Sequence, residues 1–400
     1  MADNKGVKVA MKKMKRILLI GYIALLGMVL SACNGAALDS MINKENGVES
    51  GTIELGDDLY SFTIKINGVI YSLPIPFSEL VENGWIAEDI EEEELLPERR
   101  SSYFSVHNQE GYSFRAQFIN NTLDVISLEE SEVMTIDTSS FHGFEDADFV
   151  LPGGITKDSS REDIIEAYGK PTEQWERPMG NFIQYGRQGG SSVRFKFDLR
   201  TDELLAILIM NDRRREVSPE FQGEIPDIIH DYVAPYELGE DWQTFNVKID
   251  EELFRLPAPV MAFIDKGWEI VEDPNEIVAA HSMIGNVSLR RNNQFIRVRV
   301  HNYANTAQPI IHTFVTVVHQ SVGDSFRMEL PSGITNESTI EEVIATFGEP
   351  VHRSELSLSI KYTFGERRRG PAEINIRISN EDQRITYISI KNHPQTLEFE

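Results

Sequence analysis

The chain carries one stretch of sequence twice, and this duplication constrains its fold more than any other feature. LPGGITKDSSREDIIEAYGKP occupies residues 151–171, and LPSGITNESTIEEVIATFGEP occupies residues 330–350. Earlier in the chain, FTIKI, LPIP and GW are followed 183 residues later by FNVKI, LPAP and GW. A period of roughly 180 residues is too long for a solenoid built from units of about 20–50 residues. We therefore expect a duplicated domain.

The matches, together with changes in composition, predict five segments. Their boundaries are 1–32 for a signal peptide, 33–55 for a flexible tether, 56–212 for a first repeat, 213–239 for a linker and 240–400 for a second repeat. Alternating apolar residues from Tyr60 to Leu73 predict two strands, with a hairpin turn at Asn67-Gly68. Pro76 to Asn83 predicts a short helix. The predicted fold class is therefore α+β, with an antiparallel sheet and short helices packed on one face in each repeat.

The residues that both copies of the long stretch retain predict a helix with defined ends. They are Ser159, Glu162, Gly169 and Pro171 in the first copy, and Ser338, Glu341, Gly348 and Pro350 in the second. A Ser followed three residues later by Glu is the pattern of a capping box at a helix start. The glycines predict left-handed C-caps, and the prolines prevent the helix from continuing. These residues therefore indicate architecture and no catalytic chemistry.

The N-terminus indicates where the protein is located. Basic residues 12–16 precede an uncharged apolar run at 17–30, which is too short to span a bilayer and typical of a signal peptide. The following Leu-Ser-Ala-Cys resembles the lipobox of bacterial lipoproteins of the Gram-positive type. The resemblance implies cleavage between Ala32 and Cys33, lipid attached to Cys33 and an extracytoplasmic protein anchored to the cell membrane. An ordinary signal peptide or an uncleaved anchor is the alternative, and translation could start at Met1 or Met11.

Charge and cysteine content narrow the set of partners. The formal net charge is −26, and removing residues 1–32 would bring it near −31. Such an acidic chain lacks the basic footprint of a general nucleic-acid binder, and it would not adhere broadly to an anionic bilayer. We therefore expect no nucleic-acid partner and attachment to the membrane through the lipid. A single cysteine excludes an internal disulfide, so each repeat must fold on its apolar core.

Two basic clusters are the candidate binding residues. They are Arg213, Arg214 and Arg215, and Arg367, Arg368 and Arg369. Arginine forks fit phosphate, so these turns could hold wall phosphates or an acidic partner, although exposed turns paired with nearby carboxylates are the simpler interpretation. The nine histidines show no metal-ligand spacing, and the chain has no nucleophile motif. We therefore predict no catalytic residue, metal or cofactor.

The repeated motif also resembles one in the beta-lactamase-inhibitor-protein-like fold, which the small lipoprotein of the outer-membrane assembly machinery shares. Members of that family pack helices on an antiparallel sheet and bind proteins. The resemblance implies a lipid-anchored binding or scaffold module on the outer face of the cytoplasmic membrane, with a protein or cell-wall partner. Two alternatives remain: an envelope hydrolase or hydrolase inhibitor, and a solute-binding lipoprotein of a transporter. Whether the protein is an enzyme stays open.

Overall fold

The computed structural model describes residues 55–87, 94–97, 99–139, 148–187, 190–213 and 225–397. The predicted signal peptide with Ala32 and Cys33, nearly all of the tether, Arg214 and Arg215 lie outside these residues. Within them the protein is mainly antiparallel β-sheet with five short α-helices. The prediction of antiparallel sheet combined with short helices is therefore confirmed in outline, with more strand and less helix than the class name suggests.

The elements of the first half, residues 55–213, are fifteen strands and two α-helices among the described residues. The strands are β1 (Thr63–Ile66), β2 (Val69–Ser72), β3 (Ile75–Pro76), β4 (Trp85–Ala87), β5 (Glu94–Leu95), β6 (Arg100–Asn108), β7 (Ser113–Ile119), β8 (Ile126–Ser127), β9 (Glu132–Asp137), β10 (Phe149–Leu151), β11 (Ile155–Thr156), β12 (Glu173–Arg177), β13 (Gly180–Gly186), β14 (Ser192–Phe197) and β15 (Leu204–Met210). The helices are α1 (Phe77–Glu82) and α2 (Arg161–Tyr168).

The second half, residues 240–397, follows a short helix in the predicted linker, α3 (Asp227–His230). Its strands are β16 (Asn246–Ile249), β17 (Glu252–Arg255), β18 (Ala258–Pro259), β19 (Glu269–Ile270), β20 (Ile277–Val278), β21 (Met283–Arg291), β22 (Gln294–His301), β23 (Gln308–Pro309), β24 (Phe314–Ser321), β25 (Met328–Glu329), β26 (His352–Glu355), β27 (Ser359–Gly365), β28 (Ala372–Ser379) and β29 (Ile385–Asn392). Its helices are α4 (Val260–Ile264) and α5 (Ile340–Phe347).

Each half contains one nine-stranded sheet. The first has the order β12-β13-β14-β15-β9-β7-β6-β4, with β3 added beside β9. The second has the order β26-β27-β28-β29-β24-β22-β21-β19, with β18 added beside β24. Read in the same direction, the two sheets visit their strands in the same relative order. Smaller sheets complete each half, with the orders β11-β10-β1-β2, β5-β8, β17-β16-β25 and β20-β23.

Each half folds around its own hydrophobic core. The first includes Trp85, Phe118 and Phe195, and the second includes Trp268 and Phe364, all of them almost completely buried. Strands contribute alternate residues to these cores because successive side chains point to opposite faces of a sheet. Burying a side chain of this size stabilises the fold by about 1.5–3 kcal/mol. Core burial therefore replaces the disulfides that a chain with one cysteine cannot form.

The hairpin predicted at Asn67-Gly68 is confirmed. Both residues have positive φ, 48° and 86°, and Ile66 pairs directly with Val69 across the turn. Positive φ at both central positions is the geometry of a tight hairpin, which Asn and Gly adopt at low cost. This turn sets the register of β1 against β2.

The predicted capping boxes were displaced by one residue. Helix α2 begins at Arg161, so Ser160 is its N-cap, accepting a hydrogen bond from the backbone N–H of Asp163. The Asp163 carboxylate in turn accepts from the backbone N–H of Ser160, at 2.8 Å. Ser159 instead accepts from the backbone N–H of Thr156 and closes the preceding turn. Two adjacent hydroxyls followed by two adjacent acids made both registers compatible with the pattern.

The second copy repeats this correction. Thr339 and Glu342 form the capping box of α5, while Ser338 accepts a hydrogen bond from the backbone N–H of Thr335. The glycines after the helices also differ from the prediction. Gly169 and Gly348 have positive φ, but their ψ values of −160° and −171° are extended and not left-handed helical. Glycine is still favoured there because other residues avoid that region.

The two halves contact each other through main-chain hydrogen bonds. Residues 123–125, in the loop after β7, meet residue 280 and the loop at 305–307. The donors and acceptors are Ala280 N to Leu123 O, Val125 N to Asn305 O, and Ala307 N to Asp124 Oδ1. Because both partners of two of these bonds are backbone groups, the junction depends on loop conformation more than on side-chain identity.

Candidate anion-binding face

The two faces of strand β22 differ sharply in their burial. Val298 and Val300 are buried in the second core, whereas Arg297 and Arg299 between them are exposed. The alternation follows from strand geometry, in which every second residue lies on the same face about 6.8 Å apart. The face of the second large sheet that lies away from the core therefore starts with two arginines on one strand.

Neighbouring strands add cations to the same face. Arg377 of β28 pairs directly with Lys361 of β27, and Lys391 of β29 lies one strand beyond the residue that pairs with Arg299. Directly paired residues in antiparallel strands project to the same side of a sheet. We call this surface the basic face. Its members are Arg297, Arg299, His319, Lys361, Arg377 and Lys391.

The ring of Tyr387 contacts two members of the basic face. His319 stacks on Tyr387, with ring centroids 5.5 Å apart and planes inclined by 29°. The Arg377 guanidinium lies 4.8 Å from the centroid of the same tyrosine ring. A guanidinium held over an aromatic ring keeps its outer N–H groups free to donate. Arg377 is thus oriented by Tyr387 and not by a carboxylate.

The basic face continues into the turn between β27 and β28, which contains the predicted cluster Arg367–Arg369. The Lys391 ammonium donates a hydrogen bond of 2.8 Å to the carbonyl oxygen of Gly370, tying this turn to the sheet. All three arginines are exposed, and Arg369 has a positive φ of 59°. The structure therefore joins one of the two sequence-predicted clusters to a larger set of cations.

The electrostatics of Lys361 show how close these cations are. Burial lowers the pKa of its ammonium, and the carboxylate of Glu373 opposes that shift. Arg377, Arg368 and Arg369 each lower the same pKa further. Like charges act in this way only at short range, because water and salt screen them beyond about 10 Å. The arginine turn therefore lies close to the sheet cations.

The charges near Arg297 and Arg299 act on His319. Burial lowers the pKa of its imidazole, Asp324 raises it, and Arg297 and Arg299 lower it again. The imidazole is therefore surrounded by more positive than negative charge. Two carboxylates act on these groups: Asp324 raises the pKa of His319, and Glu373, which pairs directly with Lys391 on this face, raises that of Lys361.

The exposed arginines of the basic face lack acidic partners within the described part of the chain. No described carboxylate oxygen lies within 4.0 Å of the charged groups of Arg297, Arg299, Lys361 or Arg377. Some cations elsewhere in the same half are paired: for example, Arg290 lies 2.9 Å from Glu269. Unpaired guanidinium groups retain their full capacity to bind an anion.

The corresponding face of the first large sheet has a different character. Lys196 of β14 pairs with Phe182 and Ala206, where Arg377 has Lys361 and Tyr387 as its neighbours. Asp137 also lies on this face, 7% exposed. Arg194 and Arg115 project to the same side as Asp137, so this face combines cations with a buried carboxylate.

Of the other predicted arginine cluster, only Arg213 is among the described residues. Arg213 is exposed, and the preceding Asp212 forms an ion pair with Arg100. Trp85 and Trp268, which follow the helix-ending glycines, are buried 3% and 1% exposed, so both are core residues.

Sequence reasoning missed the strand cations of the basic face. Their signal was present as basic residues alternating with apolar ones, in FIRVRV at 295–300 and INIRI at 374–378. Such alternation predicts a half-exposed strand but does not reveal which strands become neighbours. Five strands from β22 to β27 had to be placed side by side before their charges could be added together.

No protein-family model, curated protein or solved structure matches the chain. The described residues contain no group of three or more His, Cys, Asp and Glu side chains arranged to hold a metal ion. Among them no helix is long and apolar enough to cross a membrane.

Proposed function

We propose that the protein is a lipid-anchored binding module of the cell envelope that holds its partner on the outer face of the cytoplasmic membrane. The observation that carries the binding role is the basic face, whose arginines have no ion-pair partner among the described residues although the chain has a net charge of −26. A concentrated patch of charge opposite to that of the whole molecule orients and attracts a partner of complementary charge. The N-terminal lipobox-like sequence supports the location.

The anchor and the folded part have complementary roles in this proposal. Lipid on Cys33 would keep the protein at the membrane, since two acyl chains anchor stably where one does not. About 20 tether residues have a root-mean-square span of roughly 25 Å, which keeps the folded part close to the surface. Capture of a partner would then place that partner near the membrane without any chemical change to it.

We also infer that residues 56–212 and 240–400 descend from one duplicated domain. The equal strand order of the large sheets supports this. A matched pair of hydrogen bonds also supports it, because Asn211 donates to the carbonyl oxygen of Leu73 and Asn392 donates to that of Leu256.

Chemical crosslinking in intact cells followed by affinity capture tests the binding role. We expect wild-type protein to retain a crosslinked partner, and Arg297→Glu combined with Arg299→Glu to lose most of it. Thermal unfolding of the variant should stay close to wild type, because exposed charges contribute little to stability. Equal capture by the variant would remove the basic face as the binding surface.

The anchor requires a separate measurement. Intact-mass analysis of membrane-extracted protein should show loss of residues 1–32 and addition of diacylglycerol at Cys33. Cys33→Ala should leave the protein uncleaved or release it from the membrane. Unlipidated wild-type protein recovered from the cytosol would contradict the proposed location.

A further inference from the structure

We propose that the basic face binds linear inorganic polyphosphate, along a path that crosses the strands of the second large sheet. This proposal rests on the proposed binding function and names the chemistry of the partner. Its argument uses the spacing of the cations, the types of the cations and the charge of the surrounding surface.

The spacing favours an extended polyanion over a single small anion. The cations lie on β22, β29, β28 and β27, and β24 contributes His319 between the first two. Five adjacent strands about 4.8 Å apart span about 19 Å, and residues two apart along a strand are separated by about 6.8 Å. One phosphate group could contact only a part of this surface. A chain with repeated charges could contact all of it.

The residue types favour phosphate. Arginine supplies most of the exposed charge, from Arg297, Arg299 and Arg377 on the strands and Arg368 and Arg369 in the turn. A guanidinium presents a planar fork of N–H groups that matches two oxygens of one phosphate. The Arg377 guanidinium lies 4.8 Å from the centroid of the Tyr387 ring, its direct neighbour on the paired strand.

The surrounding charge favours a narrow polymer over a broad anionic surface. The chain as a whole is strongly acidic, with a formal net charge of −26, and Glu373 pairs directly with Lys391 on the basic face itself. A bilayer or a nucleic-acid duplex would meet those acidic surroundings over a wide area and be repelled. A single flexible chain can stay on the basic face and avoid them.

The decisive measurement is a titration of the full-length protein in neutral detergent with short-chain inorganic polyphosphate at several salt concentrations. We expect the logarithm of the binding constant to fall linearly with the logarithm of salt, since binding releases counterions from the polymer. Arg377→Glu should weaken binding about tenfold or more and reduce the steepness of that line. Arg377→Gln should have a smaller effect in the same direction.

Lys196→Glu is the matched control, because Lys196 occupies the position on β14 that Arg377 occupies on β28. It should leave polyphosphate binding near the wild-type value. Equal loss in Lys196→Glu and Arg377→Glu would overturn the proposal, because a general charge effect would then explain the binding. Unfolding of each variant, followed by circular dichroism, shows that a lost signal is not a lost fold.

Three other probes identify the partner class. Poly-glutamate, vesicles with anionic phospholipids and inorganic phosphate should each bind more weakly than polyphosphate at the same charge concentration. Tighter binding of poly-glutamate or of vesicles would overturn the assignment to a phosphate polymer. If polyphosphate fails to bind while Arg297→Glu with Arg299→Glu still abolishes partner capture in cells, the binding function stands and this partner class is wrong.

Discussion

The imidazole rings of His301 and His393 meet edge to face, with Nδ1 of His301 3.2 Å from Nε2 of His393. His301 ends β22, His393 follows β29, and the ring of Tyr303 packs against His301 at a centroid distance of 4.3 Å. Burial lowers the pKa of His301 to about 4, with further lowering by His393 and His281. Two partly buried imidazoles in contact therefore favour the uncharged state.

This pair predicts acid sensitivity of the fold. The pKa of His301 in the folded protein lies below its usual 6.5, so the unfolded chain binds more protons between those values. The free energy of unfolding should therefore rise as the pH rises from about 4 to 6.5. Above pH 6.5 protonation of His301 should no longer change it. His301→Gln should remove on the order of 2 kcal/mol of this pH dependence, measured by urea unfolding across the range.

His230 provides a control for this prediction. It is exposed at the end of α3, with no core packing of its ring. His230→Gln should reproduce the wild-type dependence of unfolding on pH. A variant His301→Gln with an unchanged pH dependence would show that other groups cause the acid sensitivity.

The corrected capping boxes predict a selective loss of stability. Ser160→Ala removes the side-chain acceptor for the N–H of Asp163 and should lower the free energy of unfolding by about 1 kcal/mol. Glu162→Gln, at the position of the sequence-predicted box, should change it by less than about 0.5 kcal/mol. Chemical denaturation separates the two. A larger effect from Glu162→Gln than from Ser160→Ala would favour the capping box predicted from the sequence, with Ser159 as the N-cap.

Buried Asn211 predicts a larger effect. Its amide donates 2.6 Å to the Leu73 carbonyl oxygen, and its own oxygen accepts from Ser191 at 3.0 Å. Asn211→Ala leaves both partners without this bond and should cost about 1–3 kcal/mol in denaturant unfolding. The exposed Asn275→Ala should cost less than about 0.5 kcal/mol. Equal effects would mean that water replaces the amide at no cost.

The junction between the halves predicts a local change in dynamics. Asp124→Ala removes the acceptor for the backbone N–H of Ala307. Hydrogen exchange of that amide should accelerate about tenfold, because opening no longer breaks a hydrogen bond. Asp124→Asn keeps an acceptor oxygen and should exchange like wild type. Unchanged exchange in Asp124→Ala would show that the loop is held by its backbone bonds alone.

Local structure was largely predictable because it depends on nearby residues. Asn67-Gly68 predicted a hairpin because few other pairs accept positive φ at both positions, and the alternation from Tyr60 to Leu73 predicted β1 and β2. The register of the helix caps was not predictable, since Ser159 and Ser160 offer equivalent hydroxyls. Only the packing of Ile164 into the first core, 0% exposed, decides which of them begins the helix.

The sequence by itself predicted the hairpin at Asn67-Gly68 with its flanking strands, and an antiparallel sheet combined with short helices. The tertiary structure decided which strands became neighbours, and therefore which charges act together. Arg299 and Arg377 are far apart in sequence, yet they belong to one sheet face because β24 and β29 pair between their strands. Strand pairing is a long-range choice made by burying one apolar face, and the charges on the opposite face are assembled as its consequence.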